Sequence, residues 1–344
     1  MIKKKRKISY FLLLIALPLI ITGCSKSKEK TAGEYLEPDT LIPFRVYNTY
    51  QYVNLKGRIA LPEVYEGAGK FNKEGIALVK IGGKFGYLLK SGKYFINPRF
   101  QEARLFTEDG LAAVKIDNKW GFVDRTGRLR VPCKYSEVGD FIEGKAPAQF
   151  ENGLYGYLDT LGNVVISPQF TQARNFGEGL APAQINEKWG FIDVGGKFSV
   201  LPRFDDARAF SEGMAAVAVG KAYGFIDYLG RYKIPAQFTE AADFHEGLSA
   251  VTVGDVCGYI DKSGKYKIPL IYTDSRSFSE GLAAVQIEKK KYGYIDKEGN
   301  LIIPFSFVEA EKFSEGYAQV RTSGKVFCID YKGQIILQHV IKKQ

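Results

Sequence analysis

Cysteine and histidine are scarce in this chain. Its 344 residues include four cysteines and two histidines, His245 and His339. No two cysteines form a C-x-x-C pair, which argues against a disulfide framework and against the common zinc and redox motifs. Two histidines leave little material for imidazole catalysis. We therefore expect no metal and no cofactor. The 45% hydrophobic and 14% aromatic content is nevertheless enough to bury a core.

A long apolar run is also missing. The run from Tyr10 to Ile21 is interrupted by Pro18 and is shorter than the ~18 residues that a membrane-spanning helix needs. It follows a basic stretch from Lys3 to Lys7, and this order is typical of a secretory signal peptide, here residues 1–23. Removing those five cations lowers the net charge from +10 to +5. So mild a charge predicts no nucleic-acid partner.

The signal ends in Ile21-Thr22-Gly23-Cys24, which resembles the bacterial lipobox. The resemblance implies cleavage before Cys24 and a diacylglyceryl group on its sulfur, and two acyl chains suffice for stable anchoring. The alternative is an ordinary cleaved signal. Residues 24–40 are polar and aperiodic, so we expect a lipidated cysteine followed by a flexible tether of up to ~50 Å. The expected location is the extracytoplasmic face of a bacterial membrane.

The rest of the chain repeats one unit. The segment from Lys119 to Asp124 recurs from Lys188 to Asp193, and an aromatic residue or a substitute, followed by glycine, returns every 34 or 35 residues. We call the first residue of each pair the anchor. The seven clear pairs are Phe85-Gly86, Trp120-Gly121, Tyr155-Gly156, Trp189-Gly190, Tyr223-Gly224, Cys257-Gly258 and Tyr292-Gly293. Degenerate copies fall at Tyr50 and Val326, so eight periods leave no room for a separate catalytic domain.

Each copy predicts a β-meander of three strands. In the second clear copy, Leu111 to Ile116 and Trp120 to Asp124 are strand-like and are joined by a hairpin-length connection. A turn ending at Gly127 leads to a third strand, Leu129 to Tyr135. A Phe-x-Glu-Gly motif recurs between copies. No sustained helical period is present, so the chain is predicted to be all-β.

At residues 41–338 the chain resembles the WG-repeat (KWG-repeat) lipoproteins of bacteria, and residues 339–344 form a tail. The copies at Trp120 and Trp189 match best, whereas the other anchors depart from tryptophan. The resemblance implies short repeated strands and an interaction role, without a defined reaction or ligand.

The repeat is compatible with two arrangements of the units. A three-stranded unit of ~34 residues is short for a propeller blade, so we expect an open or spiralling array, with a closed propeller-like ring as the alternative. In an open array, the degenerate copies at Tyr50 and Val326 are placed to cap the ends.

The repeated residues are interpreted as structural. The anchors vary too much for a stacking surface and are expected in the core, with their glycines allowing close backbone approach. The acids before glycines are expected in turns; rows of calcium ligands are the alternative. The cysteines Cys133, Cys257 and Cys328 are interpreted as small buried apolar residues.

We therefore predict a lipid-anchored scaffold that binds a protein or an envelope polymer, without catalysis. The alternatives are a carbohydrate or cell-wall binding module and, with less support, a glycan-acting enzyme. A carbohydrate module would need an exposed aromatic line outside the repeat register. Its candidates are Tyr47, Tyr94, Tyr228, Tyr232 and Tyr266.

Overall fold

The computed structural model describes residues 39–46, 48–287 and 291–340. The predicted signal peptide, Cys24, nearly all of the tether, Tyr47 and residues 341–344 lie outside them. Within the described ranges, no helix is long and apolar enough to cross a membrane.

The described chain is all-β, as predicted, and begins with a two-stranded hairpin of β1 (Leu41–Val46) and β2 (Thr49–Asn54). Eight sheets, numbered here as blades 1 to 8, follow in chain order. Blade 1 contains β3 (Gly67–Ala68), β4 (Ile76–Ile81), β5 (Lys84–Leu89) and β6 (Tyr94–Phe100); blade 2 contains β7 (Glu102–Ala103), β8 (Leu111–Ile116), β9 (Lys119–Asp124) and β10 (Leu129–Tyr135). Blade 3 contains β11 (Lys145–Gln149), β12 (Tyr155–Asp159) and β13 (Val164–Phe170); blade 4 contains β14 (Gln172–Ala173), β15 (Ala181–Ile185), β16 (Lys188–Ile192) and β17 (Phe198–Phe204). Blade 5 contains β18 (Asp206–Ala207), β19 (Ala215–Val219), β20 (Ala222–Ile226) and β21 (Tyr232–Phe238); blade 6 contains β22 (Glu240–Ala241), β23 (Leu248–Val253), β24 (Val256–Asp261) and β25 (Tyr266–Tyr272). Blade 7 contains β26 (Asp274–Ser275), β27 (Ala283–Ile287), β28 (Lys291–Ile295) and β29 (Leu301–Phe307); blade 8 contains β30 (Glu309–Ala310), β31 (Ala318–Arg321), β32 (Lys325–Ile329) and β33 (Ile335–Val340).

Each blade is an antiparallel meander whose neighbouring strands follow each other in sequence. The three long strands are those that the repeat predicts. A two-residue strand such as β7 is added at one edge of seven blades, and in blade 3 a single bridge between Val138 and Ala148 takes its place. A strand of two residues is too short to show an alternation of apolar and polar residues, so this strand was not predicted from the sequence.

The aromatic anchor sets the register between the second and third long strands. Trp120 lies opposite Tyr135, fifteen residues later, and the ladder shifts twice between them and the turn. A Cβ on Gly121 would lie 2.5 Å from the carbonyl oxygen of Val131 and 2.7 Å from the nitrogen of Cys133. Only glycine fits at this position, because the bulged outer strand passes directly over it.

The blades close into a ring, so the expectation of an open array is wrong and the stated alternative, a propeller-like ring, is confirmed. At every junction the turn glycine, seven residues after the anchor, packs on an aliphatic residue of the preceding copy. An added Cβ on Gly127 would lie 3.3 Å from Ile96 of blade 1, and one on Gly57 of the hairpin would lie 3.1 Å from Leu337 of blade 8. The first and last copies therefore meet as all the others do.

The two degenerate copies join the ends of the chain instead of capping them. Ile42 and Phe44 of the hairpin share one buried cluster with Tyr317 and Cys328 of blade 8. The amide of Gln319 donates to the carbonyl of Pro43 at 2.8 Å. An open array would expose these apolar surfaces to water, whereas the ring buries both.

Tyrosine hydroxyls tie neighbouring blades together. Tyr87 in blade 1 donates to the carbonyl of Arg104 in blade 2 at 2.7 Å, and Tyr157 in blade 3 donates to that of Arg174 in blade 4 at 2.8 Å. The rings themselves are fully buried. Each bond satisfies a hydroxyl that burial would otherwise leave unpaired.

Candidate binding cleft at the inner edge of the ring

A variable side chain follows the short edge strand of each blade, or the bridge that replaces this strand in blade 3. This side chain stands two residues before the first phenylalanine of the Phe-x-Glu-Gly turn, or of its longer version in blades 1 and 2. From blade 1 to blade 8 the position holds Gly69, Arg104, Gly139, Arg174, Arg208, Ala242, Arg276 and Glu311. Turns and core positions repeat around the ring, whereas this position does not, so it can distinguish one arc of the ring from another.

A cleft of about 640 Å³ opens at this position. Its lining comes from four consecutive blades, 3 to 6, and includes Glu137, Arg174, Asp206, Arg208 and Asp243. Side chains of four successive blades can share one cleft only where the blades converge, near the centre of a ring. The cleft therefore lies at the inner edge.

An arginine covers the tryptophan anchor on the cleft side. The Arg174 guanidinium lies 4.4 Å from the centre of the Trp189 ring and pairs with Asp206 of the next blade at 2.9 Å. Arg104 repeats the arrangement at Trp120, 4.8 Å away. Stacking on the indole and pairing with a carboxylate hold the guanidinium in one orientation. The Arg174–Trp189 pair thus separates the core from the cleft.

Two charged groups in the cleft have no such partner. Among the residues that the structure describes, no carboxylate lies within 4 Å of the Arg208 guanidinium, and Oδ1 of Asp243 is buried without a hydrogen-bond partner. Burial raises the pKa of Asp243, against the opposing effect of Arg208. A buried acceptor without a donor is costly. The pair is suited to a ligand that accepts hydrogen bonds from Arg208 and donates to Asp243.

The anchors lie in or beside the core. Trp120, Tyr155, Trp189, Cys257 and Tyr292 are buried, while Phe85 and Tyr223 are partly buried. Their glycines lie against the backbone of the outer strand: Gly86, Gly121, Gly156, Gly190, Gly224, Gly258 and Gly293. Two of the anchors, Tyr155 and Trp189, also line the cleft, and Arg174 covers Trp189 there.

The two rows of acids have separate local tasks. Asp124 accepts hydrogen bonds from the backbone of Thr126 at 2.8 Å and Arg128 at 3.2 Å, which closes its turn. The glutamates instead connect blades: Glu178 accepts from the backbone N–H of Gly213 in the next turn at 2.9 Å. In the described ranges, no three Asp, Glu, His or Cys side chains are grouped to hold a metal.

The tyrosines singled out in the sequence do not form a line outside the repeat register. Tyr94, Tyr232 and Tyr266 all stand nine residues after an anchor, and Tyr94 is half-buried. Tyr228 is exposed but stacks on Phe210, at 4.8 Å between ring centres. The cysteines Cys133, Cys257 and Cys328 are free thiols.

The cleft residues were not predicted from the sequence, although a signal was present. Arginine stands two residues before the turn phenylalanine in four copies, at 104, 174, 208 and 276. A search for residues shared by all copies passes over a position that differs among them. That Arg174 and Arg208 face a common cleft follows only from the ring.

A comparison with protein families identifies the repeat. A family model described as "WG containing repeat" matches residues 52–85, 85–120, 120–155, 155–189, 189–221, 223–257, 258–290 and 292–325. No curated protein sequence matches the chain.

Solved structures of low sequence identity are also similar to this chain. A crystal structure titled as the eukaryotic initiation factor is 13% identical, with a TM-score of 0.56 over 76% of this chain and 84% of that one. The computationally designed Ika8 protein is 12% identical, with a TM-score of 0.49 over 78% of this chain and 93% of that one. BamB from Moraxella catarrhalis is 10% identical, with a TM-score of 0.40 over 87% of this chain and 95% of that one.

Proposed function

Since the chain belongs to the WG containing repeat family, we propose that it is a binding scaffold whose inner cleft holds a segment of a partner protein. We further propose that a lipid on Cys24 holds it at the extracytoplasmic face of a bacterial membrane. The observation that carries the binding role is the cleft with its unpaired Arg208 and Asp243. A polypeptide offers carbonyl acceptors to one and N–H donors to the other.

The remaining acids support a role without catalysis. The aspartates four residues after the anchor close turns, as Asp124 does, and five of the six glutamates of the Phe-x-Glu-Gly motif accept from the next turn, as Glu178 does. Groups engaged in this way in successive repeats are part of the frame, whereas a catalytic pair would be a single irregularity.

Site-specific crosslinking tests the binding role. A photoreactive phenylalanine analogue replaces Ala209, which lines the cleft, in the full-length chain expressed in its native membrane. The matched control replaces Ser277, the equivalent residue in blade 7. We expect a discrete protein adduct at Ala209 alone, lost with Arg208→Ala and kept with Arg276→Ala. Equal adducts at both positions would contradict the proposal. Retention on purified cell-wall polysaccharide, competed by free oligosaccharide, would favour the carbohydrate alternative.

Metabolic labelling tests the anchor. We expect a clickable fatty acid to label the wild-type chain and to leave Cys24→Ala unlabelled, because the thioether forms on that sulfur. An unlabelled wild-type chain released from the membrane would show an ordinary cleaved signal instead.

A further inference from the structure

A belt of positive charge follows the outer strands around the ring. It consists of the eighth to tenth residues after the anchor in each of the nine copies, and we call it the basic rim. The rim contains no Asp or Glu, and its cations are Arg58, Lys93, Arg128, Arg130, Lys197, Arg231, Lys233, Lys265 and Lys267. All nine are exposed. Of these nine rim cations, only Arg231 and Lys233 pair with a carboxylate of the described residues, that of Asp227.

Exposed apolar side chains alternate with these cations. The ninth residue after the anchor is apolar or aromatic in every copy, and seven of the nine are between 41% and 60% exposed: Ile59, Leu129, Val164, Tyr232, Tyr266, Leu301 and Ile335. Exposed apolar residues normally occur singly. Tyrosine and aliphatic side chains flanked by lysine and arginine are instead typical of a surface that lies at a membrane interface.

The described chain also begins at this end of the ring. Leu41, the first residue of β1, pairs with Asn54 next to the turn that leads to Arg58. Asp39 forms a 2.9 Å ion pair with Lys90, three residues before Lys93 of the rim. Asp39 stands only fifteen positions after Cys24, which is at most ~50 Å of extended chain. The chain that leads back to Cys24 therefore leaves the ring at the rim end.

Glutamates of the neighbouring turns lie at the same end, nearer the centre, and would oppose an anionic surface. Two of them are ion-paired within the protein. Glu212 pairs with Lys262 at 3.1 Å and accepts from a backbone N–H, and Glu246 pairs with Lys297 at 3.0 Å. Other acids at this end accept from backbone N–H groups, as Glu178 and Asp124 do, whereas seven of the nine rim cations form no ion pair among the described residues.

We propose that the basic rim seats the ring on an anionic lipid bilayer. The proposal rests on the lipid anchor at Cys24, which supplies the attachment, while the rim sets the orientation. The opposite end, with the turns between the first and second long strands, then faces away from the membrane.

Tryptophan quenching tests the orientation. Leu301→Trp places the probe on the rim, and Val219→Trp places it at the opposite end; the native side chains are 48% and 50% exposed. The full-length lipidated chain is reconstituted into vesicles of brominated phosphatidylcholine with about a quarter phosphatidylglycerol. We expect quenching several-fold stronger at Leu301→Trp, reduced by Lys197→Gln/Lys265→Gln/Lys267→Gln but not by Lys84→Gln/Lys221→Gln/Lys325→Gln. Equal quenching at both positions in a vesicle-bound chain would overturn the proposal.

Flotation with vesicles separates failure of the anchor from failure of the rim. A lipidated chain floats with pure phosphatidylcholine, whereas an unlipidated one does not. If the anchor fails, the rim alone must still bind the phosphatidylglycerol vesicles at low salt, and the rim triple variant must weaken this binding at least about tenfold. Binding should be lost at about 0.5 M salt, where the Debye length is only a few ångströms. A chain that floats with neither vesicle would refute the rim proposal and the anchor together.

Discussion

A buried lysine gives a direct test of the ring closure. Lys70 of blade 1 donates from Nζ to the carbonyls of Ser314 at 2.9 Å and Tyr317 at 3.3 Å, both in blade 8. The same ammonium lies 3.8 Å from the centre of the Tyr317 ring. Burial lowers the pKa of Lys70, because removing the ammonium from water disfavours its charged form. The contacts join the first blade to the last across the N-terminal hairpin.

Lys70→Met keeps the length of the side chain and removes these contacts. A hydrogen bond from a charged donor contributes about 1.5–3 kcal/mol, and a desolvated cation–π contact about 1–2 kcal/mol. The variant also avoids desolvating the ammonium, which offsets several kcal/mol of the loss. We expect a net loss of about 2 kcal/mol, confined to the closure.

Hydrogen exchange followed by mass spectrometry measures this loss locally, since a repeat protein need not unfold in one step. Exchange should accelerate in β1, β2 and β31 to β33 and stay unchanged in blades 3 to 6. Lys221→Met, at an exposed hairpin, is the matched control. Unchanged exchange in the hairpin, or equal acceleration everywhere, would refute the closure role of Lys70.

Three further predictions concern the frame. Gly121→Ala should cost about 2–3 kcal/mol in urea unfolding because its Cβ meets backbone, whereas Gly324→Ala, in open space, should change stability by less than about 0.5 kcal/mol; equal effects would be inconsistent with the close approach. Tyr157→Phe should lose about 1 kcal/mol with its bond to the next blade, and Tyr266→Phe almost nothing. Burial raises the pKa of Tyr157, so its contribution is complete below the unfolded value of about 10 and falls as the pH rises above it. Urea midpoints that stay constant from about pH 9 to 11.5 would contradict this sign.

Much of the local structure could be read from the sequence because it depends on residues close in the chain. The turn from Asp124 to Gly127 needs a side chain that accepts hydrogen bonds at its first position and a residue with positive φ three positions later. The strand runs on either side of it carry their own patterns. The placement of Trp120 against the core and of Gly121 under the outer strand follows from the same short segment.

Contacts between copies could not be read in this way. Glu178 was expected only to shape its own turn, yet its carboxylate accepts from Gly213, 35 residues later. The two-residue strands were invisible because a pattern needs more than one period. Without them, each unit looked too small for a propeller blade.

The amino-acid sequence by itself determined the repeat, the long strands and the turns, since these depend on neighbours within one 34- or 35-residue unit. The tertiary structure decided the closure, because whether Gly57 meets Leu337 depends on small rotations added up over all the copies. It also decided the cleft and the basic rim. Arg208 and Asp243 face one another only because the ring brings separate blades to a common centre.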